Sequence, residues 1–146
     1  MVQDFFQASI RHFVDGTVLY EEGCYDNAVG LFGNSAECAL KSLIGVYCGE
    51  DSRVILQYGY GHKGDSLIND LNYFIANSLY ASTLLLDPAL ALKLQGFVVP
   101  EPLFKGHPER RYARNGEFHA QDAEGCKDAA GFLMREMLIQ HIDGYI

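Results

Sequence analysis

Little in this sequence suits a metal centre, a disulfide scaffold or a membrane. Its four cysteines, Cys24, Cys38, Cys48 and Cys126, include no C-x-x-C pair and, without an export signal, read as reduced core thiols. The five histidines, His12, His62, His107, His119 and His141, form no H-x-x-x-H or E-x-x-H pair that would set two ligands on one helical face. Neither a metal nor a cofactor is expected. No Pro- or Ser-rich tract marks a linker or a disordered tail. The amino terminus, Met1 to Phe6, has no basic stretch ahead of an apolar one and does not read as a secretory signal, so a cytoplasmic location is expected. The most apolar stretch, 79–100, is interrupted by Asp87, Pro88, Lys93 and Gln95, which a membrane span of about 20 apolar residues would not carry.

Positive charge is scarce as well. The formal net charge of −8 opposes a generic attraction to a nucleic-acid backbone. The exception is the segment from Lys105 to His119, where Lys105, Arg110, Arg111 and Arg114 outnumber Glu109 and Glu117; it carries +2 and leaves −10 on the remainder.

What is present is helical pattern. A chain of 146 residues, 49% hydrophobic and 21% charged, suffices for one domain over 1–146 with its own core. Phe6, Ile10, Phe13, Val14 and Thr17 fall on one face of a helix from about Asp4 to Tyr20, with Asp4 as its cap. Gly23 closes it, and Asp26 or Asn27 can cap a central helix running to Tyr47. A further turn or two fits 52–58, followed by a glycine-rich loop over 59–64. A third long helix starts at Asp65 or Ser66 and ends near Leu86, ahead of Asp87-Pro88. Pro88 opens a short helix over 89–94, an extended proline-punctuated run crosses 98–102, and a last helix spans Ala120 to Ile142. No segment alternates with period two. The expected fold is all-α, an antiparallel up-and-down bundle of four to five helices.

Along the central helix, from Ala28 to Ile44, nearly every position is small or apolar, the pattern of a helix surrounded by others. Gly30, Gly33, Ser35, Ala36, Ala39 and Ser42 let neighbours approach closely, although each interior glycine costs about 1 kcal/mol relative to alanine. Within this run Glu37 and Lys41 stand one turn apart. They form either an exposed pair worth about 0.2–0.5 kcal/mol or a buried one that needs a further partner, such as His62 or an arginine of the Arg110 segment.

The run Gly33-Asn34-Ser35-Ala36-Glu37-Cys38-Ala39-Leu40-Lys41-Ser42-Leu43-Ile44, then Gly61-His62 ahead of Leu67 and Leu71, then Arg111-Tyr112 before an Ala-rich last helix, resembles the HEPN superfamily of prokaryotic helical-bundle proteins. The resemblance implies an up-and-down bundle, often a homodimer, from toxin–antitoxin and other defence systems, frequently beside a minimal nucleotidyltransferase. Catalytic members cleave RNA without metal through an arginine, a polar residue and a histidine four to six positions on. Arg114, Asn115 and His119 match that spacing.

On this expectation His119 is a general acid or base and Arg114 holds the phosphate. Gly116 makes the stretch a better loop than helix interior, and the tyrosine that follows the motif in some members is replaced by Gln121, so the same residues also fit a solvated basic loop. His62 either joins Glu37 and Lys41 in a polar pocket for a nucleotide or partner, or fixes a helix start. Arg110, Arg111 and Tyr112 either contact phosphate and stack a base or pin the loop to acidic helix ends. Two functions are therefore expected: a metal-independent endoribonuclease, or a non-catalytic module that binds substrate or serves a separately encoded nucleotidyltransferase.

Overall fold

In a computed structural model of the chain, residues 4–48, 64–77 and 88–143 are described. They form six α-helices: α1 (Phe5–Glu21), α2 (Tyr25–Cys48), α3 (Gly64–Asn77), α4 (Pro88–Gln95), α5 (Glu101–Phe104) and α6 (Ala120–Ile142), with a 3₁₀ turn at Glu109–Tyr112 between the last two. No strand occurs among the described residues. The protein is an all-α helical bundle. No helix among the described residues is long and apolar enough to cross a membrane.

Asp4 caps α1 by accepting from the Gln7 backbone N–H at 2.9 Å. At its other end Gly23, at φ +78°, turns the chain, and the Cys24 N–H returns to the Leu19 carbonyl at 2.8 Å. So short a corner folds α1 back along α2. The two helices approach closely enough for reciprocal buried hydrogen bonds: Ser9 Oγ donates to the Ser35 carbonyl at 2.9 Å and Ser35 Oγ to the Ser9 carbonyl at 2.8 Å. Gly16 is equally required, since a Cβ there would stand 2.9 Å from the ring of Phe32.

The all-round apolar character of α2 is explained by its neighbours, for it packs against α1, α3, α5 and α6. Phe32, Leu40, Leu43 and Ile44 of α2 share one buried core with Leu67 and Leu71 of α3, Leu90 of α4, Leu103 of α5, and Leu133 and Met137 of α6. Burying each such side chain contributes about 1.5–3 kcal/mol.

Three local expectations change. α2 begins at Tyr25, so Asp26 lies inside its first turn. Gly64 is already helical, one residue before the expected cap of α3. The proline-rich run is only partly extended: Pro100 is the residue before α5 and Pro102 occupies its first turn, where a missing N–H costs nothing. Among the thiols, Cys126 is buried, but Cys24 is exposed at the α1–α2 corner. The expected segments 52–58 and 59–63, the end of α3 and His62 lie outside the described residues.

Candidate functional site

The pair in the central helix is buried. Lys41 Nζ lies 2.6 Å from Glu37 Oε1, and the two side chains are 4% and 6% exposed. The second carboxylate oxygen, Oε2, is 2.7 Å from Nε2 of His107, itself 2% exposed. With Glu37 ionised against Lys41, Nε2 carries the hydrogen and donates, which fixes the tautomer and orientation of the ring. The histidine that meets Glu37 thus comes from seventy positions downstream, and His107 was not among the sequence candidates. The only signal for it was the requirement that a buried Glu37 find a further partner.

Arg110 follows one turn later and is also drawn inward. Its Nη1 donates to the Pro102 carbonyl at 2.6 Å and its Nη2 to the Val29 carbonyl at 3.0 Å, with the guanidinium 5.9 Å from the centre of the Phe118 ring. Among the described residues no carboxylate pairs with it, and burial pulls its pKa down to about 10, so it stays charged at neutral pH. The space it occupies exists because position 33 is glycine: a Cβ there would collide with Nη2 of Arg110 and stand 2.8 Å from the Leu103 carbonyl. Arg110 pins the loop to α2 through backbone carbonyls, not to an acidic helix end.

A second clasp ties the loop further along. Asp26 accepts from the backbone N–H of Gly116 at 2.6 Å and of Phe118 at 2.8 Å. Gly116 holds φ at +84°, a conformation that a side chain disfavours. Beyond it His119 is the residue preceding α6, its N–H donating to Asp122 at 2.9 Å.

Between these two clasps the loop roofs a cavity of about 300 Å³ against one face of α2, at the small end of the range for ligand sites. Asn27, Gly30, Leu31 and Asn34 form the α2 wall, spaced at three and four as one helical face requires. Leu19, Pro108 and Phe118 add apolar surface, and Arg110, Arg111 and Arg114 bring three guanidinium groups against the two carboxylates of Asp26 and Glu117. His107 reaches the same cavity, which links it to Glu37 and Lys41. Gly30 differs from Gly33: a Cβ added there would meet nothing within 4 Å among the described residues.

Most of the sequence-derived candidates gather here, though not all. Arg110, Arg111, Arg114 and Asn115 line the cavity, while Glu37 and Lys41 stand behind it through His107. Tyr112 is 77% exposed and carries the Arg111 guanidinium 4.9 Å from its ring centre. His119 is exposed and is not among the lining residues. Among the described residues no three His, Cys, Asp or Glu side chains converge as a metal site would require. No protein-family model matches the chain, and no curated protein and no solved structure matches it.

Proposed function

We propose that this domain is a binding module for a phosphate-bearing RNA or nucleotide, taken up in the cavity between α2 and the basic loop. The observation that carries the reading is the open wall at Gly30. A glycine inside a helix costs about 1 kcal/mol relative to alanine, and here no neighbouring atom of the described residues demands it. Its effect is to keep space in a cavity that Arg110, Arg111 and Arg114 also line. Arg111 and Arg114 are suited to hold phosphate oxygens in pairs. Asn27, Asn34 and Asn115 offer both donors and acceptors to a base edge, and the exposed Arg111–Tyr112 stack offers an aromatic face.

The HEPN resemblance supports the same class of ligand. Of the two roles it implies, non-catalytic binding fits this geometry better, because Arg114 faces the cavity and His119 does not. A metal-independent nuclease would need His119 from a second copy of the chain, as in a homodimer. A module serving a separate nucleotidyltransferase needs only the cavity.

Calorimetric titration of the wild type and of Gly30→Leu with nucleoside monophosphates and short RNAs tests the proposal. The leucine projects into the cavity and should abolish binding while leaving the fold as stable or more so. Equal binding by both proteins, or none by the wild type, would remove the proposal. The nuclease role is tested by incubating RNA in excess chelator with the wild type, Arg114→Ala and His119→Ala; identical behaviour of all three eliminates it.

A further inference from the structure

The surroundings of the cavity say more about the phosphate than its lining does. Three arginines against Asp26 and Glu117 give the lining a net charge of +1, and with −8 overall the rest of the chain carries −9. Asp26 is already engaged by two backbone N–H groups, and Arg110 by two carbonyls. Arg111 and Arg114 are the exposed cations of the lining. Exposed carboxylates accompany them: Glu117 shares the lining with Arg114, Glu109 precedes Arg110 on the loop, and Glu21 and Glu22 follow Leu19 of the wall in sequence.

A strand laid across this mouth would place its flanking phosphates against those carboxylates. A like charge at a few ångströms opposes binding even under water's screening. A phosphate that ends the ligand has no such neighbours. It also carries a charge of about −1.5 to −2 rather than the single charge of a diester, and so gains more from the two exposed arginines of the lining.

We infer that the cavity selects a terminal phosphomonoester, held by Arg111 and Arg114, over the internal phosphodiesters of a strand. The inference rests on the phosphate-binding reading above. The monoester can come from a free mononucleotide or from the phosphorylated end of an RNA, and the chemistry at the arginines is the same.

Titration of the full chain with AMP, GMP, CMP and UMP, the four parent nucleosides, and octauridylate bearing a 5′ phosphate, a 3′ phosphate or neither distinguishes these cases. At least one phosphomonoester should bind ten-fold or more tightly than its unphosphorylated counterpart. Its log Kd should change with log salt by a slope of about 1–2, not the steeper slope of a multi-phosphate contact. Arg111→Ala and Arg114→Ala should each weaken it about ten-fold. Binding by the mononucleotides alone assigns a free nucleotide; binding by a phosphorylated octamer assigns a strand end. Hydroxyl-terminated octamer binding as tightly as the phosphorylated forms, or a nucleoside matching its monophosphate, would overturn the inference. Loss of octamer binding in Gly30→Leu would then still uphold the cavity as the site. If no phosphate-bearing probe binds, the underlying reading fails with it.

Discussion

Gly30 and Gly33 lie three residues apart in one helix, and alanine should act on them with opposite sign. At Gly30 the new methyl meets nothing within 4 Å among the described residues, so the gain is the helix-propensity difference, about 1 kcal/mol in favour of alanine. At Gly33 the same gain is opposed by a collision with the Arg110 guanidinium and by a backbone carbonyl, Leu103 O, at 2.8 Å. Overpacking costs about 1–3 kcal/mol. Moving Arg110 also strains charge-assisted bonds to Val29 and Pro102 worth about 1.5–3 kcal/mol each. The net loss should be on the order of 2–5 kcal/mol, since neither backbone partner can give way freely. For a chain of this length about 1 kcal/mol moves Tm by roughly 3 °C. Calorimetric melting should therefore raise Tm by about 3 °C for Gly30→Ala and lower it by roughly 6–15 °C for Gly33→Ala. Equal melting temperatures for the two variants would refute the placement of Arg110 over Gly33, and with it the anchoring of the loop.

Removing one member of the buried trio, as in Glu37→Ala, leaves Lys41 and His107 without this carboxylate and should cost about 3–5 kcal/mol in urea unfolding; a loss below about 1 kcal/mol would mean the pair behaves as a surface one. Asp26→Ala strips the acceptor from two loop N–H groups and should cost about 1–3 kcal/mol, with faster amide exchange at Gly116 and Phe118 and unchanged exchange in the α1–α2 interface. Burial pushes the Cys38 thiol up to about 11 and the Cys126 thiol up to about 12, so a maleimide at pH 7 should label Cys24 in the folded protein and reach those two only on unfolding, as peptide mass mapping would show. These two folded-state values lie above the ordinary 9.0, so the native chain holds more protons than the unfolded one between pH 9 and 12. The stability they contribute is complete below pH 9 and is lost as pH rises through that window; a double Cys38→Ala, Cys126→Ala variant should show a shallower alkaline decline in chemical denaturation.

How far the sequence reaches differs between fold and site. The helices were legible because helical burial is periodic and local: Asp4 caps α1, Gly23 ends it, and the last helix spans the expected 120–142. The surrounded state of α2 was equally legible, since a helix apolar on all sides must be covered. Glu37 and Lys41 were legible as a pair one turn apart, either exposed or, if buried, in want of a further partner. The partner could not be read, because His107 is brought to Glu37 by the packing of α5 and its following loop on α2, and nothing in the intervening seventy positions encodes that approach.

The glycines show the same division. Small residues in α2 promised close approach in general, yet only packing distinguishes Gly33, filled by an arginine from the loop, from Gly30, which faces open space. Arg114 and His119 illustrate the converse: their spacing suggested a pair, but Gly116 turns the chain between them, and one side chain faces the cavity while the other stands at the start of α6. Composition and periodicity decided that this chain is an all-α bundle with a charged pair on its central helix. Which distant side chains meet that pair, and where a cavity opens beside it, was decided by tertiary packing alone, because contacts between residues far apart in sequence depend on how whole helices seat against one another.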